Sequence, residues 1–170
     1  DQFVRDARIA QIYEGANGIQ ALDLVGRKLA QNGGRAIRAF FDIVQTEVNE
    51  AKADAHSMEI AAALEKANGE LQAATMWLMQ HGMADPNNAG AASYSYMHLM
   101  GIVSLGLMWL RMTRASGEAL AQGGGDKSFH EAKLITARFF AERIMPEAGA
   151  LRRKLEAGAE STMALPVAAF

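Results

Sequence analysis

Apolar residues along this chain recur at steps of three and four. No stretch alternates apolar and polar residues in the manner of a half-buried strand. Residues 3–13 predict the last turns of a helix, with Gly15 available as its stop. Asn17 is placed to cap the next helix, and Gln20, three positions on, gives a variant of the capping box. That helix carries Ile19, Leu22, Val25 and Leu29 and ends at Asn32-Gly33-Gly34. A further helix starts near Arg35, with Ile37, Phe40, Phe41, Val44 and Val48 on one face. Another starts near Ser57, carries Ile60, Leu64, Ala67, Leu71, Ala74 and Leu78, and ends around His81-Gly82. Asp85 then reads as an N-cap with Pro86 in the first turn of a helix running to about Ala121. Residues 122–126, Gln-Gly-Gly-Gly-Asp, predict a flexible break. The last long helix begins near Lys127 and steps through Leu134, Ala137, Ala141, Ile144, Ala148, Leu151 and Leu155, with Pro146 expected to kink or break it. The tail after Gly158 is poorly patterned and either packs on the body or stays loose.

Long helices joined by short connections imply an all-α fold. The expected form is an up-and-down helical bundle preceded by an N-terminal helix-turn-helix segment. The break at Asn32-Gly33-Gly34 divides the chain into residues 1–34 and a four-helix unit over residues 35–170. A length of 170 residues suits one domain, or one compact domain with an extra element. Residues 97–112, MHLMGIVSLGLMWLRM, are the most apolar stretch. They are shorter than the roughly 20 residues a membrane span needs, and they include His98 and Arg111. A net charge of −2 gives no argument for nucleic acid or an anionic membrane. The chain has no cysteine, which excludes disulfides and thiolate chemistry and fits a reduced, cytoplasmic setting. The opening Asp1-Gln2-Phe3-Val4-Arg5 has neither an initiating Met nor a leader pattern, and it reads as a cut inside a longer chain.

The four histidines, His56, His81, His98 and His130, form no metal-ligand spacing, so no metal site is expected. His98 reads as a hydrogen-bonded core histidine. Met97, Met100, Met108 and Met112 read as core packing, and Arg152-Arg153-Lys154 as a solvated helix end suited to the dipole.

The stretch IYEGANGIQ is different, because it sets the carboxylate of Glu14 between an aromatic ring and a glycine-rich turn. A carboxylate in the last turn of a helix faces the negative end of the macrodipole, which disfavours its charge. A general base needs a carboxylate tuned in this way and held by rigid elements. Gly15 and Gly18 leave room for a ligand near the backbone, and the helix after them offers free N–H groups to an anion. The plain alternative is a helix–turn–helix corner with a capping Asn and a solvated Glu. Residue types alone leave both readings open.

The string RDARIAQIYEGANGIQA, continuing as LDLVGRK to Lys28, resembles the C-terminal signature of the acyl-CoA dehydrogenases. In that family the Glu of the Tyr-Glu-Gly motif removes the α-proton of an acyl-CoA thioester, and hydride passes from the β-carbon to N5 of FAD. The resemblance implies that Glu14 is that base and that Tyr13 and Gly15 adjoin the substrate. It also implies that Ala16, Asn17, Gly18 and Gln20 line the nucleotide part of FAD, often that of a neighbouring subunit. Many relatives carry Thr where this chain has Ala16, so a hydroxyl contact to the cofactor is lost there. Residues 35–170 resemble the extra C-terminal helical domain of a longer subgroup, the 3-methylmercaptopropionyl-CoA dehydrogenase-like enzymes. Implied partners are an acyl-CoA thioester, an electron-transfer acceptor and further copies of the chain in a dimer or tetramer. Most contacts to FAD and thioester in the family lie in parts absent here, so the 170 residues alone are expected to be inactive. The alternative is a helical module for interaction or assembly, with no catalysis. A third reading, a stand-alone bundle without enzymatic ancestry, sits badly with so long an ordered match.

Overall fold

The computed structural model describes residues 1–12 and 16–169, the side chain of Gln11 excepted. The described residues are all-α and contain no strand. The helices are α1 (Gln2–Ile12), α2 (Ala16–Asp23), α3 (Arg35–Ala51), α4 (Met58–Trp77), α5 (Pro86–Ala121), α6 (Lys127–Phe139), α7 (Glu147–Glu156) and the short α8 (Glu160–Met163). Three wide turns with i→i+5 spacing extend α2, α4 and α6, over Leu24–Lys28, Leu78–Gly82 and Phe140–Ile144.

The expected stops and starts follow from local chemistry. Asn32, Gly33 and Gly34 all take left-handed backbone angles, with φ of 53°, 65° and 74°, and so end the first segment. The Asp85 carboxylate accepts from the Asn87 backbone N–H at 2.9 Å, with Pro86 opening α5. Asp126 caps α6 in the same way, accepting from the N–H of Ser128 at 2.9 Å and of Phe129 at 3.3 Å. The Ser128 hydroxyl also donates to Asp126, and these bonds lower the pKa of its carboxyl. Pro146 divides the last long pattern, with the Phe140–Ile144 wide turn before it and α7 after it.

α5 is the central strut, 36 residues long, or about 54 Å at 1.5 Å per residue. α3, α4, α6 and α7 all pack on it. Leu64, Leu71, Leu99, Leu110, Val44, Val48, Val103 and Leu155 are fully buried between these helices, and those of α3, α4 and α7 lie on the faces that the three-and-four spacing predicts. Ion pairs fix the helices in register. Arg111 grips Glu47 through Nε at 2.8 Å and 3.0 Å, and Arg114 meets Glu50 at 3.1 Å, both joining α5 to α3. Lys52 meets Glu65 at 2.8 Å. Arg152 lies between Glu70 of α4 and Glu156 of its own helix, so this residue is an interhelical clamp and not part of a solvated helix end.

Close packing at one glycine gives a test of the core. A Cβ added at Gly106 would lie 2.6 Å from Met145 Cε and 3.1 Å from Leu64 Cδ1, whereas one added at Gly101 meets nothing within 4 Å. Gly101→Ala is expected to stabilise the chain by ~0.5–1 kcal/mol through helix propensity. Gly106→Ala gains the same propensity, but overpacking costs about 1–3 kcal/mol, so a net loss is expected. Urea unfolding of the two variants checks the opposite signs.

The N-terminal segment departs from the pattern in two ways. α2 begins at Ala16, so Asn17 lies inside its first turn and does not cap it. The expected apolar face through Ile19 and Leu22 is turned outward, at 66% and 51% exposure, and Ala21 is the residue fully buried. The wide turn explains the shift. The N–H of Leu29 donates to the carbonyl of Leu24 at 2.8 Å, one residue further than in an α-helix. Leu24, Val25 and Leu29 thereby pack on the core below Ala21.

Candidate functional site

The sequence directs attention to the corner between α1 and α2. Tyr13, Glu14 and Gly15 lie outside the described residues, so the candidate base and the two residues expected beside substrate have no geometry here. The residues expected to line FAD all stand on the first turns of α2. Ala16 is half-buried, while Asn17, Gly18 and Gln20 are exposed. A Cβ added at Gly18 would meet nothing within 4 Å, so the backbone there is open to an approaching group. This turn presents the exposed side-chain amides of Asn17 and Gln20, which could hydrogen-bond the edge of a nucleotide. Ala16 offers no hydroxyl.

The charged groups that follow are already paired with one another. Arg27 donates to Asp23 at 2.6 Å and 3.0 Å, and Lys28 reaches it at 3.1 Å. Hydrogen bonding from Arg27, and then from Lys28, lowers the pKa of the Asp23 carboxyl to about 2. The i, i+4 spacing of Asp23 and Arg27 is a local sequence signal for this pair.

On the other side of this corner, α1 has no packed face. Phe3 is 89% exposed and Ile12 72%, and every described side chain on the helix is exposed.

Two other concave regions lie away from this corner. A groove of about 420 Å³ is lined by Trp77, His81, Asp85, Asn88, Gly158 and Glu160, among others. Its polar groups are largely committed to closing the chain. His81 stacks on Trp77 with ring centres 4.7 Å apart, and Asn88 Oδ1 accepts from the Ala159 N–H at 2.9 Å. A smaller groove of about 280 Å³ lies between His56, Glu59, Thr113 and Arg138. Among the described residues no group of three His, Asp or Glu side chains is placed to hold a metal ion. His98 corrects an expectation, because it is exposed and packs against Tyr94 at 4.4 Å instead of lying in the core. Met100 packs against the core as expected, but Met108 is 40% exposed. No described helix is long and apolar enough to cross a membrane.

Comparison with known proteins bears on the same segments. The family model described as acetyl-CoA dehydrogenase C-terminal like matches residues 36–166. The 3-methylmercaptopropionyl-CoA dehydrogenase of Ruegeria pomeroyi is 39% identical over 150 residues, which cover 88% of this chain and 25% of that protein. The broad-specificity linear acyl-CoA dehydrogenase FadE5 of Mycobacterium tuberculosis is 30% identical over 178 residues, covering 100% of this chain and 29% of that protein. A butyryl-CoA dehydrogenase of Syntrophomonas wolfei is 24% identical, covering 99% of this chain and 28% of that protein. This chain thus spans between a quarter and three-tenths of the length of these relatives.

Proposed function

Because this chain belongs to the acetyl-CoA dehydrogenase C-terminal like family, we propose that it is the terminal part of a FAD-dependent acyl-CoA dehydrogenase. The enzyme would introduce the α,β-double bond of an acyl-CoA thioester. The observation that carries the reading is the ordered string from Arg5 to Lys28, which resembles the family signature around its base. Similarity to a named acyl-CoA dehydrogenase along the whole chain supports it.

In this reading Glu14 accepts the α-proton of the thioester on its carboxylate. Tyr13 and Gly15 flank the substrate. Asn17, Gly18 and Gln20 would hold the nucleotide part of FAD along the exposed first turns of α2, and Ala16 adds only van der Waals contact. FAD, when bound, supplies the hydride acceptor. Residues 1–34 belong to the catalytic helical domain and residues 35–170 to an added bundle. The working enzyme is a homo-oligomer that passes electrons to a separate acceptor, and the 170 residues alone do not catalyse.

The test uses the full-length protein. It is expected to purify yellow, and one class of saturated acyl-CoA thioester should bleach its flavin without oxygen, while the 170-residue chain binds no flavin. A colourless full-length protein that takes up no FAD would overturn the reading.

A further inference from the structure

α6 carries two apolar faces, and the fold of this chain covers one of them. Ala137 turns inward and is buried on the bundle, as is Phe140 in the wide turn that follows. Phe129, Ala132, Ile135 and Phe139 turn outward. Ile135 is 71% exposed, Phe139 57% and Phe129 53%, and Ala132 is exposed as well. Thr136 lies among them. Its hydroxyl donates to the Ala132 carbonyl at 2.8 Å, so its polar atom is satisfied within the helix. A helix that is apolar on both sides is normally covered on both.

The flank of this outer face carries charges in a fixed order. Glu131 and Arg138 are one heptad apart, so they stand on the same flank, two turns from each other. Lys127 meets Glu131 at 3.5 Å and Glu142 meets Arg138 at 2.7 Å, all along this one edge. Two such helices laid side by side in parallel would oppose Glu131 to Glu131 and Arg138 to Arg138. Laid antiparallel about a two-fold axis near Ile135, they oppose Glu131 to Arg138 twice over. The same register brings Phe139 of one copy over Ile135 of the other, where the surface is concave. The groove of about 280 Å³ has Ile60, Leu134, Ile135 and Ala137 in its walls, and His56, Glu59, Thr113 and Arg138 in the rest of its lining. A cavity of ~150 Å³ accepts a benzene ring, so this groove has room for a phenyl group. The face therefore offers both a knob, Phe139, and a hole beside Ile135.

We propose that the outer face of α6 is a contact between two copies of this chain, packed antiparallel about a two-fold axis near Ile135. Phe139 of each copy enters the groove beside Ile135 of the other, and Glu131 of each meets Arg138 of the other. α6 has 13 residues and is about 20 Å long. Its face is smaller than the ~800 Å² per partner of a standard interface, so the chain is expected to pair weakly, in the micromolar range. The contact does not rest on the dehydrogenase reading.

Sedimentation equilibrium of the chain from Asp1 to Phe170, carried to submillimolar concentration, reads the contact. Ile135→Lys sets a charge at the centre of the face. The helix should tolerate it, because Glu131 four residues before gives a favourable pair. The Kd of pairing is expected to rise ~100-fold or more, since the side chain is lost on both sides of the axis. Arg138→Glu opposes like charges and should weaken pairing roughly 10-fold. Combining it with Glu131→Arg restores opposite signs, and the double variant should return to within about threefold of the parent. Phe3→Lys alters the exposed apolar side of α1 and should leave the Kd unchanged. Circular dichroism checks that each variant keeps its helix content. If Ile135→Lys does not, the charge swap at two exposed positions carries the test.

A parent chain that stays monomeric at submillimolar concentration would overturn the proposal and leave the dehydrogenase reading untouched. Pairing that survives Ile135→Lys, or that Phe3→Lys abolishes, would put the contact elsewhere and overturn it as well. A double charge swap that pairs no better than Arg138→Glu would refute the antiparallel register, and the proposal with it.

Discussion

Glu14→Gln in the full-length enzyme is expected to lower turnover about 100- to 10,000-fold, the usual contribution of a positioned general base. FAD content and assembly should be unchanged. The amide has nearly the shape of the carboxylate but cannot accept a proton, so the substitution removes one chemical capacity and little else. Glu14→Asp is the informative companion. It keeps the capacity and withdraws the carboxylate by one methylene, about 1.5 Å. A loss of up to roughly 100-fold is expected from misplacement alone. The order Glu, Asp, Gln in falling activity would show that both the proton acceptor and its position matter. Stopped-flow bleaching of the flavin reads the chemical step directly. Retention of more than about a tenth of the activity in Glu14→Gln would show that another group takes the proton.

The bundle was legible in the sequence because its signals are local. The apolar steps from Ile60 to Leu78 became a buried face, and Asp85-Pro86 marked a helix start through one side-chain hydrogen bond. The buried face of α2 is not legible in the sequence, because the wide turn at Leu24–Lys28 inserts an extra residue. An ideal helical period applied across that turn assigns Ile19 and Leu22 to the core, when Ala21 is the buried residue. The exposure of His98 is hidden from the sequence for a related reason. An apolar neighbourhood in sequence does not give the facing of a single residue on a long helix, and His98 falls on the open side of α5 beside Tyr94. The Arg152 clamp needed the packing of α7 on α4, which no local spacing encodes. The candidate site was legible in another way. Its evidence is an ordered string that resembles a family signature, and physics applied to Glu14 alone favours a solvated helix–turn–helix corner.

Thr75→Val is expected to destabilise the chain by about 1–3 kcal/mol, and Tyr96→Phe by only about 0.5–1.5 kcal/mol. The asymmetry follows from donor accounting. The Thr75 hydroxyl donates to the Leu71 carbonyl at 2.8 Å, so its oxygen accepts the proton of the Tyr96 hydroxyl, also at 2.8 Å. Tyr96 is 0% exposed. Removing Thr75 leaves that hydroxyl buried without an acceptor, whereas removing the hydroxyl of Tyr96 leaves Thr75 still bonded to the helix. The double variant should cost less than the sum of the two. The same pair predicts an alkaline transition. Burial raises the pKa of Tyr96 to about 12. The unfolded chain has its tyrosine near pKa 10. Above that value the unfolded state loses its proton first, so the contribution is intact below about pH 10 and is lost as pH rises towards 12. The full loss is about 2–3 kcal/mol. Urea unfolding of the parent and of Tyr96→Phe across this range isolates the effect from lysine titration, because the difference between them contains only Tyr96. The parent should lose its advantage over Tyr96→Phe and fall below it as pH approaches 12. Parallel curves would show that the hydroxyl is not held neutral in the core.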